Sequence, residues 1–199
     1  MGQLGYNRVT PVLTNSYFER SVEQILDIAG RFAHALEGVG IPYRVVGGLG
    51  IFLHVERVDP LAARLTRDVD VAVDRGQLDQ IKAAAAAQGF AYRHVAGVDM
   101  FVDASDPKAR SGVHLVFVGE RVRADYLEPV PAFSEPLRTR QGILIAPVAD
   151  LLRMKLTSFR LKDRVHLQDL DRAGLVTPEM EASLSDALRT RLAEMRASE

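Results

Sequence analysis

Residues 43–73, YRVVGGLGIFLHVERVDPLAARLTRDVDVAV, restrict the chain more than any other stretch. A β-branched run, Tyr43–Val46, meets two consecutive glycines, Gly47 and Gly48, and an apolar segment of helical character follows. Glycines at a strand-to-helix turn permit tight geometry, and the free N–H groups of a helix start favour an anion. After a polar, basic loop, Thr66-Arg67-Asp68-Val69-Asp70-Val71 alternates as a strand does. Residues two apart on a strand share a face, so Asp68 and Asp70 are expected to project together. Side by side they repel unless a cation lies between them, and the pair therefore suggests a divalent metal site. Taken singly, a glycine pair reads as a structural turn and a D-x-D strand as an ordinary surface strand; the two at this spacing are more specific.

Apolar periodicity organises the remainder. From Tyr17 to about Leu36, Phe18, Val22, Ile25, Leu26, Ala29, Phe32, Ala33 and Leu36 recur at three- and four-residue steps, predicting an amphipathic helix that Gly38 and Gly40 end. Strand Tyr43–Val46 leads into a helix of roughly Leu49–Arg57, broken by Asp59-Pro60. Val69–Val73 is the second strand, Gln77–Gln88 an alanine-rich helix, and Phe90–His94, Met100–Asp103 and Gly112–Val118 further strands. Residues 119–142, with Pro129, Pro131 and Pro136, predict an irregular crossing with isolated extended pieces, and Ile143–Ala146 a last short strand. Beyond Pro147 the pattern is helical: one helix around Val148–Phe159, a second over Val165–Leu170, and a third from Pro178 to about Met195 whose Glu/Arg-rich surface reads as a solvated face. The fold class expected is α/β (α+β): a mixed-sheet core with flanking helices over residues 1–146, and a C-terminal helical subdomain over 147–199 packed on it.

Composition narrows the function classes. A chain of 199 residues with 47% hydrophobic content can bury one substantial core, and a net charge of −1 leaves nucleic acid to a local basic patch. With no cysteine there is no disulfide, thiolate ligand or thiol nucleophile, which fits a cytoplasmic location. The N-terminus lacks a basic region followed by an apolar core, so no signal peptide is expected, and no stretch nears the ~20 apolar residues that span a bilayer. Ser111 near His114 has no nucleophile-elbow context, and His54, His94, His114 and His166 show no zinc spacing.

A strand–GG–helix unit followed by T-x-D-h-D-h, whose first acid lies 20 positions after Gly48, is similar to the nucleotidyltransferase layout. Together with the tail GILIAPVADLLRMKLTSFRLKDRVHLQDL it resembles the AbiEii/AbiGii-toxin-like branch of that superfamily, which includes the MenT toxins, from about Val45 to Leu170. The resemblance implies that Gly47 and Gly48, with Thr66 and Arg67 nearby, hold the triphosphate and that Asp68 and Asp70 hold Mg²⁺ or Mn²⁺. Lys155 matches the family's lysine, a point cation for phosphate, and Asp163 an acid of the final motif. It implies an NTP substrate, an acceptor hydroxyl on a tRNA 3′ end or a protein, and a toxin-like role with a cognate antitoxin. The chain departs from its relatives in three places: Gly48 where many have serine, His114 on the strand that often carries a third carboxylate, and His166 where toxin-like members repeat an acid. Each histidine can ligate a metal, shuttle a proton or serve as a hydrogen-bonded structural residue. Arg153, Lys155, Arg160, Lys162 and Arg164, with Arg57, Arg64 and Arg67 near the acids, can hold phosphates or line a solvated face. The rival expectation is a catalytically inactive protein of the same fold that binds a nucleotide or a partner.

Overall fold

The computed structural model describes residues 12–64, 66, 68–105 and 112–198, with side chains from residue 19 onward. Helix α1, Val12–Glu37, is longer at its start than periodicity predicts, and buries Ile25, Ala29, Phe32, Ala33 and Leu36 along one stripe. It ends where Ile41 N–H reaches back to Leu36 C=O at 3.0 Å across Gly40, whose φ of +71° suits a residue without Cβ. Strand β1, Arg44–Val46, runs directly into α2, Gly47–Glu56, so the glycine pair forms the first turn of the helix rather than a linker before it. After β2 (Val69–Val73) and a single 3₁₀ turn come α3 (Leu78–Ala87), β3 (Phe90–Val95), β4 (Val98–Asp103) and β5 (Val113–Phe117). Residues 119–142 supply the isolated pieces that their prolines imply: a bridge of Val130 to Val118, and β6, Leu137–Arg138, which pairs with β7, Leu144–Ile145.

The seven strands form one mixed sheet in the order β3-β4-β5-β2-β1-β7-β6. β1 is antiparallel to β2 and parallel to β7, and β2 is parallel to β5. Alternation along β2 assigns the faces. Val69, Val71 and Val73 join Phe32, Leu36, Ile81 and Ala85 beneath α1 and α3. Asp70 and Ala72 point the other way, where Ala72 meets Val46, Ile51, Ala146 and Leu151. Each large side chain fully buried in these clusters stabilises the fold by roughly 1.5–3 kcal/mol.

The tail is α4 (Val148–Ser158), α5 (Leu161–Arg172), α6 (Pro178–Ala182) and α7 (Asp186–Ala197). One expectation needs correcting. The single helix over 178–195 is two, parted at residues 183–185, where Leu184 turns into the core at 4% exposure. α7 keeps Arg189, Glu194 and Arg196 exposed, while Leu188, Leu192 and Met195 pack with Leu152, Leu156 and Leu167 in a third cluster. α4 thus works on two sides, with Val148 and Leu151 facing the sheet and Leu152 and Leu156 facing the tail helices. Among the described residues, no helix is long and apolar enough to cross a membrane.

Candidate active site

The site is built where β1 becomes α2. Gly47 has a φ of +64°, and a Cβ added there would lie 2.0 Å from Asp70 Oδ2 and 2.8 Å from Asp70 Cγ. The Asp70 carboxylate is therefore seated on the Cα of Gly47, in space that a side chain would fill. Register explains the meeting, because Val46 is the antiparallel partner of Asp70. Gly48 is held as closely: a Cβ on it would stand 2.7 Å from Thr66 Oγ1 and 3.4 Å from His166 Cε1. No side chain caps α2 at Val46, so no side-chain cap occupies its first-turn N–H groups.

On the other side of β2, Asp70 is the parallel partner of His114, whose Nδ1 lies 3.5 Å from Asp70 Oδ1. The Asp70 carboxylate raises the His114 pKa by more than burial lowers it, and Asp68 adds to the rise. Both acids thus act on one imidazole. The row continues across the sheet through Met100 to Arg93. Among the described residues, no group of three or more His, Asp or Glu is gathered to hold a metal ion. Two carboxylates of hard oxygen nonetheless suit Mg²⁺, which keeps several waters and shares its remaining positions with substrate phosphates. Arg67 lies outside the described residues.

Helices α4 and α5 close the site from the tail. Between them Phe159 adopts a left-handed turn, φ 48° and ψ 30°, with its N–H on Lys155 C=O at 2.9 Å. Its ring lies under the Arg164 guanidinium, 4.2 Å from the centroid. The turn brings Lys155 and Asp163 together, Nζ to Oδ1 at 2.9 Å, with the Asp163 side chain fully buried. Its other oxygen accepts from Ser158 Oγ at 2.8 Å and Arg160 Nε at 2.7 Å. Burial alone would push this carboxyl up, but the Arg160 hydrogen bond and the Lys155 charge outweigh it and hold the pKa well below the usual range. Both oxygens of Asp163 are thereby engaged inside the protein. Arg160, fixed by Asp163, also acts electrostatically on Asp70.

His166 stands one turn along α5, beside Gly48. Burial first, and the Lys155 charge second, push its pKa down to about 4, so the ring is neutral near pH 7. Its Nδ1 is buried and without a hydrogen-bond partner among the described residues. Further along the same helix, Asp169 accepts from Arg64 Nε at 2.9 Å, tying α5 to the loop that carries Thr66. The structure thus brings Gly47, Gly48, Thr66, Asp70, His114 and His166 into one site. It places Lys155 and Asp163 in the supporting turn behind it. The pairing of Lys155 with Asp163 carries no signal in the sequence beyond their charges, because it depends on Phe159 turning left-handed.

No protein-family model matches the sequence, and no curated protein matches it. Solved structures resemble the fold. An antigenic nucleotidyltransferase-like protein from Paracoccidioides brasiliensis superposes with a TM-score of 0.57 at 17% identity, over 89% of each chain. The antibiotic-resistance factor ANT(2'')-Ia in solution gives 0.54 at 11% identity, over 89% of this chain and 94% of that one. Its crystal structure with adenylyl-2''-tobramycin gives 0.53 at 10% identity, over 87% and 97%. The chain has a nucleotidyltransferase-like fold.

Proposed function

We propose that the protein transfers a nucleoside monophosphate from an NTP to an acceptor hydroxyl, releasing pyrophosphate. The acceptor oxygen bonds to the α-phosphorus, the bond from that phosphorus to the β-phosphate oxygen breaks, and the hydroxyl proton passes to solvent. The observation that carries this reading is the Asp70 carboxylate lying against Gly47: one contact joins the acid pair to the phosphate-type turn. In such transfers catalysis is mostly positioning and charge neutralisation. Asp68 and Asp70 would hold Mg²⁺ or Mn²⁺, which when bound neutralises phosphate charge. The first turn of α2 at Gly47–Gly48 and the Thr66 hydroxyl would meet phosphate oxygens, and neutral His166 would offer a hydrogen bond beside them. Asp163 acts as a positioning residue, with Arg160 as the part of its network that faces the site.

The motifs at Gly47–Gly48, Asp68–Asp70 and Lys155–Asp163 favour the AbiEii/AbiGii-like branch. On that reading the acceptor is the 3′ end of a tRNA or a protein side chain, the role is that of a toxin, and an antitoxin is the cognate partner. Adenylyl-2''-tobramycin bound to ANT(2'')-Ia makes a small hydroxyl compound the alternative acceptor. The test is label transfer from each α-³²P-NTP, with Mg²⁺, to total tRNA, to cell protein and to an aminoglycoside. Transfer that disappears in Asp70→Ala supports the proposal and identifies the acceptor class. His114 beside Asp70 favours the rival, a binder without turnover, and NTP binding with no transfer to any acceptor class would replace the proposal by it.

A further inference from the structure

We propose that Lys162, rather than Lys155, is the cation that meets the substrate triphosphate, and that Lys155 acts from behind the site by fixing Asp163 and Arg160. This rests on the nucleotidyl-transfer reading and assigns a residue within it. Lys155 is spoken for: its side chain is 9% exposed and its Nζ lies 2.9 Å from a carboxylate with no exposure at all. To reach a phosphate it would have to leave a buried anion short of a donor.

Lys162 is disposed the other way. It is exposed, in the first turn of α5, and forms no hydrogen bond or ion pair with the described residues. Residues four apart share a helix face, so Lys162 lies above His166. That face is pressed on the site: His166 Cε1 is 3.4 Å from where a Cβ on Gly48 would be, and Asp169, one turn further, holds Arg64 of the Thr66 loop. Lys162 therefore occupies the open end of a face whose inner end is closed against the glycine turn. Its charge also acts on His166. An ammonium at this end of the face, on a flexible four-carbon stem, is suited to phosphate. The Nδ1 of His166 beside Gly48 is a second polar group, buried and without a hydrogen-bond partner among the described residues.

Isothermal titration of the full chain with α,β-methylene NTPs in Mg²⁺ tests the assignment, with thermal unfolding measured in parallel. Removing one charge-assisted phosphate contact is expected to weaken binding about ten- to a hundredfold, so Lys162→Ala should do so with an unchanged unfolding midpoint. Lys162→Arg should keep affinity within about threefold, and Lys155→Met should lower the midpoint while retaining comparable affinity at a temperature where it is folded. Wild-type affinity in Lys162→Ala overturns the proposal, as does loss of binding in Lys155→Met at an unchanged midpoint. If the wild-type chain binds none of the analogues, the nucleotide reading fails and takes this assignment with it.

Discussion

Asp70 and Asp163 are both aspartates beside basic side chains, and the fold treats them in opposite ways. Asp163 has no exposed side-chain surface and both of its oxygens are bonded, to Lys155, Ser158 and Arg160. Asp70 keeps 32% of its side chain exposed, with Gly47 on one side and His114 3.5 Å away on the other. A carboxylate whose hydrogen bonds are complete inside the protein stabilises the turn that contains it. One held in place by a missing Cβ and a single imidazole is oriented and still open to a ligand. The closed network determines how α5 meets the sheet, and the open pair is where chemistry can occur.

That contrast breaks most sharply if the two acids are removed in turn. Asp70→Asn is expected to lower nucleotidyl transfer by about 10³-fold, the order seen when a charge-stabilising group is lost from a site, with an unfolding midpoint close to wild type. Asp163→Ala strands the buried Lys155 ammonium and is expected to cost about 3–5 kcal/mol of stability in denaturant unfolding. A stable Asp163→Ala variant, or an unstable Asp70→Asn variant, would reverse the roles given to them.

Gly47→Ala tests how the open acid is held. The new methyl would stand 2.0 Å from Asp70 Oδ2 on a backbone at φ +64°, so both strain and displacement follow. The left-handed backbone alone costs about 1–2 kcal/mol. Transfer should fall by more than this strain explains, and the loss should not add to that of Asp70→Asn, since the two changes strike one contact. Gly48→Ala meets side chains first, Thr66 at 2.7 Å and His166 at 3.4 Å, and is expected to be milder because the Thr66 loop can shift. Equal effects of the two alanines on transfer would remove Gly47 as the seat of the acid.

The open end of the site was the legible part. Gly47-Gly48 after a β-branched run and the alternation of Asp68 with Asp70 are local signals, and the sheet pairs β1 with β2 so that they meet. The supporting turn was less legible, because Lys155 and Asp163 are eight positions apart across a phenylalanine in a conformation that L-residues seldom adopt. Charge alone presented Lys155, Arg160, Lys162 and Arg164 as one basic run. Burial separates them, and burial is a property of the packed helices. The break at 183–185 is hidden for a related reason: Leu184 continues the apolar period of a helix, while Ser185 stands extended ahead of α7 with its hydroxyl on Glu128 at 2.6 Å, a contact 57 positions away in the chain.

His166 belongs to both regions, and its protonation offers the smallest effect and a distinct pH window. Its pKa in the folded chain is pushed down from the ordinary 6.5 to about 4, by burial and by Lys155. A depressed histidine pKa means that the unfolded chain binds the proton more tightly. Its contribution to stability is therefore complete above pH 6.5 and is lost as pH falls from there towards 4. His114 shifts upward, so its contribution is present below 6.5 and lost only as pH rises through the raised value. Asp163, held below the carboxylate range, loses its contribution only as pH falls under about 4. The interval from pH 6.5 to 4.5 thus separates His166 from His114 and Asp163, and buried His54, whose pKa burial also lowers, shares it. Denaturant unfolding across it should show stability declining as pH falls, with His166 supplying less than about 1.4 kcal/mol per pH unit, the ceiling for one group. His166→Gln should reduce that decline to the part owed to His54 while leaving the loss below pH 4 in place. A decline unchanged in His166→Gln would show that the ring beside Gly48 is not held neutral by the α4–α5 turn, and the open and closed regions would then be uncoupled at His166.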